Sequence, residues 1–105
     1  MIELHLRGRA AAGRRAELVA FLAEAIPFYE KPGGIRVRLL WDLDDEDRFV
    51  EVVEYADAQA HDRDQQRVEH DPQMRQYLMR WRALLDGPPE VVTYRVEPPS
   101  PGRFG

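Results

Sequence analysis

Four stretches of this sequence alternate apolar and polar positions with the period of two that marks a half-buried strand, and helical spacing fills the intervals. In residues 2–7, Ile2, Leu4 and Leu6 alternate with Glu3, His5 and Arg7. In residues 35–42, Ile35, Val37, Leu39 and Trp41 alternate with Arg36, Arg38 and Leu40. Residues 49–55 are β-branched and aromatic, with Phe49, Glu51, Val53 and Tyr55 on one face and Val50, Val52 and Glu54 on the other. Residues 91–96 form the fourth strand, in which Val92, Tyr94 and Val96 share a face. A first helix is expected over residues 14–26, where Leu18, Phe21, Leu22, Ala25 and Ile26 make one apolar stripe, and Pro27 is expected to end or kink it. Asp57 is an N-cap for a helix over residues 58–70, whose apolar stripe is little more than Ala60 and Val68. Asp71-Pro72 joins an N-cap to a proline at the first helical position and starts a fresh helix. There Met74, Tyr77, Leu78, Trp81, Leu84 and Leu85 follow helical spacing until Gly87-Pro88-Pro89 stops it.

The order is β-α-β-β-α-β, which predicts an α+β, ferredoxin-like fold: a four-stranded antiparallel sheet with helices on one face. The acidic connection over residues 43–47 is short enough for a hairpin loop. Pairing Asp42 with Arg48 sets Arg36 opposite Glu54, an attractive charge pair, Trp41 opposite Phe49 and Leu39 opposite Glu51. In that register the helix-side face is apolar except for Glu51, and it is assigned Val92, Tyr94 and Val96 from the fourth strand. The other face is mixed. It is assigned His5, Arg36, Arg38, Val50, Val52, Glu54, Val91 and Arg95, and a second copy of the chain can meet it, because both signs of charge are present. One domain is expected over residues 1–97, followed by a Pro/Gly-rich tail over residues 98–105.

Composition narrows the function classes. The chain has 105 residues, 44% hydrophobic and 32% charged, with a net charge of −4. That balance exerts no general pull on nucleic acid or anionic lipid, so neither is an expected partner. No cysteine is present, which removes disulfides, thiolate zinc sites and Cys nucleophiles. The first residues lack the apolar core of a signal peptide, and no apolar run approaches the roughly 20 residues of a membrane span, so a cytoplasmic location is expected. The spacing of the acidic residues over 43–47 matches no EF-hand loop, so no metal is expected.

A chain of this length whose third strand ends in VEVVEYADAQAH, followed by DP and a helix bearing Tyr77 and Trp81, resembles the dimeric α/β-barrel superfamily. It is most similar to the antibiotic-biosynthesis-monooxygenase-like and NIPSNAP-like members, over residues 1–97. The resemblance implies a homodimer with facing sheets and a pocket in each subunit between sheet and helices. Members include cofactor-free oxygenases of aromatic polyketides and haem-degrading enzymes. Those members use an asparagine, which this sequence lacks, and Tyr55 stands where many carry a tryptophan.

Candidate chemistry starts with Glu51, a carboxylate on an apolar face, where burial should raise its pKa as in many general bases. Tyr55 and His61 are the other catalytic candidates. Trp41, Tyr77 and Trp81 are candidates for lining an aromatic pocket. His61 and His70 are too far apart in sequence to act as close helical ligand pairs, and no cofactor is expected. The expected partners are a second copy of the chain and a small apolar or aromatic molecule. Two readings follow: an oxygenase or isomerase that exploits the reactivity of its bound substrate, or a non-catalytic dimer that binds such a molecule or acts as an interaction module.

Overall fold

The structure, a computed structural model, describes residues 1–97. The tail expected over residues 98–105 lies outside them. The elements are β1 (Ile2–Arg9), α1 (Arg15–Glu30), β2 (Ile35–Trp41), β3 (Arg48–Tyr55), α2 (Ala58–His70), α3 (Pro72–Ala83) and β4 (Glu90–Arg95). They form one antiparallel sheet in the order β2-β3-β1-β4. This is the α+β, ferredoxin-like arrangement, with the second helical segment broken in two at Asp71-Pro72. Asp57 caps α2 by accepting from the Ala60 N–H at 2.8 Å, and Asp71 caps α3 by accepting from the Gln73 N–H at 2.9 Å.

The β2–β3 register is the one that cross-strand charge favours: Arg36 pairs with Glu54, Leu39 with Glu51 and Trp41 with Phe49. On the other side of β3, Gly8 of β1 faces Phe49. A methyl group at Gly8 would meet the Phe49 ring at 3.2 Å, so the missing side chain is what lets the ring lie across β1. The acidic turn is held internally. Asp42 Oδ1 accepts from the Asp44 N–H at 2.7 Å, and Asp45 is paired with Arg9.

Two expectations need correction. First, α1 does not stop at Pro27 but runs on to Glu30. Proline there removes one backbone hydrogen bond, yet Tyr29 continues the buried stripe one turn past Ala25. The helix end is then satisfied from outside. The Arg67 guanidinium of α2 donates to the carbonyls of Phe28 at 2.7 Å and Tyr29 at 3.0 Å. Second, β4 faces the opposite way. Glu3 pairs with Tyr94 and His5 with Val92, so Val92 and Tyr94 lie on the outer face, and Val91, Thr93 and Arg95 on the helix side. Arg95 and Val91 therefore do not belong to the outer face. Two contacts select this register: the His5 and Tyr94 rings meet edge-on at 4.8 Å, and Arg7 donates to the Tyr94 hydroxyl at 3.1 Å. The helices do not cover β4, so its apolar alternation carries no information about the core, and a slip of one residue flips every side chain.

The core lies between the sheet and α1 and α3. Leu18, Phe21, Leu22 and Ala25 of α1 meet Phe49 of β3 and Met74 and Trp81 of α3. A smaller cluster of Ile35, Val53, Tyr55 and Ala60 closes the end under α2.

Candidate functional site

β3 delivers Glu51, Val53 and Tyr55 to the helix side in succession, because side chains two apart on a strand share a face. α2 and α3 stand over them, and the space left between these helices and the four strands of the sheet is a cavity of about 390 Å³. Its wall is mostly aliphatic and aromatic, including Leu4, Leu6, Ile35, Val37 and Met74. Polar groups enter it at few places: Glu51 and Tyr55 from β3, His61, Asp64 and Gln65 from α2, Tyr29 from α1 and Arg82 from α3.

All three catalytic candidates, Glu51, Tyr55 and His61, line this cavity. Of the three aromatic candidates only Trp81 does. Trp41 lies toward the far end of the sheet, against Phe49 at 6.0 Å and under the Arg15 guanidinium at 4.3 Å. Tyr77 is part of an α1–α3 cluster with Phe28, Tyr29 and Phe21. Both are packing residues, held where helical or alternating spacing makes aromatics meet.

Glu51 is only 4% exposed, and its Oε1 has no hydrogen-bond partner. Burial pushes its pKa up to about 7, and the nearby Trp81 indole pulls weakly the other way without completing a hydrogen bond. A carboxyl in this state is a proton acceptor and a proton store at neutral pH. Tyr55 is different. Its hydroxyl donates to Asp64 Oδ2 at 2.5 Å, and Asp64 in turn accepts from Arg67 at 3.4 Å. Burial and then that hydrogen bond push the Tyr55 phenol far above its ordinary range, so it stays protonated. The Tyr29 phenol is raised too, by burial and then by Glu51. His61 stands edge-on to the Tyr55 ring at 5.1 Å and is partly exposed.

Five of these residues escape sequence reading: Asp64, Arg67, Gln65, Tyr29 and Arg82. The signal for Asp64 was present. It lies midway between Ala60 and Val68, four residues from each, so a helix that buries Ala60 turns Asp64 inward as well. Tyr29 is hidden by reading Pro27 as a stop.

On the outer face, His5 bonds Glu3 within the same chain at 2.9 Å. Arg36, Arg38 and Leu40 line β2, and Leu40 is 45% exposed. Val52, expected to be open on this face, is 1% exposed, with His5 and Arg38 opposite it on the flanking strands. Among the described residues no cluster of three or more metal-ligating side chains occurs, and no helix is long and apolar enough to cross a membrane.

The sheet, its helix layer and a largely apolar cavity that holds two buried carboxyls, Glu51 and Asp64, define the molecule as a ferredoxin-like domain with a pocket between sheet and helices. Comparison with known proteins places it further. The chain belongs to the antibiotic biosynthesis monooxygenase family, whose sequence model matches residues 1–76. Its fold is shared with a conserved protein of Methanosarcina mazei at 15% identity and a TM-score of 0.76, covering 91% of this chain and 92% of that one. It is shared as well with SnoaB, a cofactor-independent oxygenase of Streptomyces nogalater, at 21% identity and a TM-score of 0.76, covering 95% and 96%. Rv0793 of Mycobacterium tuberculosis matches at 21% identity and a TM-score of 0.72, covering 92% and 95%. No curated protein matches by sequence.

Proposed function

We propose that the cavity binds a mainly apolar, hydroxylated aromatic molecule and that Glu51 removes a proton from it. The observation that carries this reading is the buried Glu51 carboxyl, free of any hydrogen-bond partner at Oε1, in a mostly apolar wall. A cavity of about 390 Å³ falls within the usual range of small-molecule sites. A phenolic substrate that loses a proton becomes electron-rich enough to react with O2 directly, so the protein's part is to bind, to take the proton and to exclude water. The shared fold of SnoaB, described as a cofactor-independent oxygenase, supports that chemistry. In this assignment Glu51 is the base, His61 passes protons toward solvent, and Tyr55, committed to Asp64, shapes the wall. The absence of asparagine favours a second reading, in which the same molecule is bound without turnover.

The test uses hydroxylated polycyclic aromatic ketones as probes. They should bind with quenching of tryptophan fluorescence and consume O2 under air. Glu51→Gln should keep the affinity within a few-fold and lower kcat by roughly 10²–10⁴. Binding without O2 uptake in the wild-type protein leaves the second reading. No binding of any such probe overturns both.

The functional unit in this reading is a homodimer through the outer sheet face. Leu40 and Tyr94 are exposed there, beside Glu3 and Glu54 and the arginines of β2.

A further inference from the structure

Among the described residues, two buried side-chain atoms lack a hydrogen-bond partner, and both lie in the wall of one cavity. They are complementary: Glu51 Oε1 accepts, and Trp81 Nε1 donates. Native interiors leave few such groups unpaired, and each one asks for an explanation. The packing brings this pair together. Phe49 and Glu51 are successive helix-side residues of β3, and the Trp81 ring of α3 sits edge-on to Phe49 at 6.4 Å. Trp81 is 4% exposed, as is Glu51, so water cannot serve either atom freely.

We propose that Trp81 is a positioning residue for Glu51: its indole N–H closes onto the carboxyl when Glu51 ionises and holds the carboxylate in one orientation. This deepens the proposed role of Glu51 as the base and rests on that reading for its catalytic meaning, although the contact itself does not. A neutral carboxylic acid is a weak acceptor and makes little demand on the indole. The carboxylate is a strong one, and a charge-assisted bond is shorter and stronger than a neutral pair. The other titratable groups around the cavity are Tyr29 from α1, Tyr55 from β3, His61 and Asp64 from α2, and Arg82 from α3. Tyr29 and Tyr55 stay protonated, and Tyr55 is already spent on Asp64. Trp81 Nε1 is therefore the buried N–H donor in the same cavity wall as Glu51 with nothing else to bond.

The experiment is a pH titration followed by NMR on the protein without ligand. The chain has two tryptophans, so Trp41→Phe assigns the Trp81 indole N–H resonance. That resonance should move downfield with rising pH, with the same midpoint as the Glu51 side-chain carboxyl carbon. Trp81→Phe keeps an aromatic ring and removes the donor, and it should raise the Glu51 midpoint by about one pH unit. An indole resonance that ignores the Glu51 titration overturns the proposal even if the phenylalanine variant does not fold. So does a Glu51 midpoint unchanged by Trp81→Phe. Because no substrate is used, failure here is separate from failure of the aromatic probes to bind.

Discussion

Across the strands from Glu51 stand Leu6 and Leu39, the helices above it offer one indole and one phenol, and β3 itself adds the Tyr55 phenol. An acid held neutral by such surroundings binds its proton more tightly folded than unfolded, which fixes the sign of its effect on stability. Below about pH 4.5, the ordinary value for this group, both states are protonated and burial of the group carries no ionisation cost. Above it the unfolded chain ionises first, and stability falls until the folded group ionises near pH 7. The loss across that window should be roughly 3 kcal/mol. Denaturant unfolding of the wild type and Glu51→Gln at about pH 5 and about pH 8 checks it. The pH dependence should shrink by that amount in the glutamine variant, which should also be the more stable protein at the higher pH. The candidacy of Glu51 was legible in the sequence because the hairpin register, fixed by Arg36 and Glu54, leaves it no other face. The pairing of Tyr55 with Asp64 was not, because spacing can turn Asp64 inward but does not say which group of the sheet it meets.

The helices divide by how they are held. α3 carries its own anchor: Trp81 is buried against Phe49, and Trp81→Ala should cost about 3–5 kcal/mol in unfolding free energy. An unchanged thermal midpoint would remove α3 from the core. α1 depends at its end on another element. Arg67 gives two hydrogen bonds to the last-turn carbonyls of α1, one to Asp64, and lies over the Phe28 ring at 4.7 Å. Arg67→Ala should cost about 2–4 kcal/mol, and Arg67→Lys should recover little, since an ammonium cannot reproduce the planar fork. Chemical denaturation of the three proteins measures both statements. The boundaries of α2 and α3 could be read from Asp57 and Asp71-Pro72, whose capping is local. The end of α1 could not, because the group that satisfies it comes from a residue 38 positions away from Tyr29 along the chain.

For the whole molecule, order, strand pairing of the central hairpin and the helix-covered face all follow from alternation and capping. The orientation of β4 does not, since an edge strand that the helices leave bare obeys contacts between individual side chains. The dimer is best tested at a residue the single chain leaves exposed. Val52 is buried within one chain, so a charge there would damage the fold whether or not copies associate. Leu40 is the better probe, at 45% exposed on the outer face. Sedimentation equilibrium should show a species of twice 12.2 kDa for the wild type, and Leu40→Glu should shift it to the single-chain mass with little loss of thermal stability. A wild-type protein of single-chain mass at micromolar concentration rules out association through this sheet.

β4 pairs with β1 alone, and its side chains are mostly exposed, yet Val91 and Thr93 are part of the cavity wall. A strand with one neighbour opens locally at lower free energy than one with two. Each such opening parts the cavity wall without disturbing Phe49, Trp81 or the α1 core. Fraying there would widen the mouth of the cavity, where Val91 is already exposed, at little cost to the fold as a whole. Amide hydrogen exchange reads this directly. The amides of β4 that bond to β1 should exchange well ahead of those joining β1 to β3, and an occupant touching Val91 and Thr93 should slow the first set far more than the second.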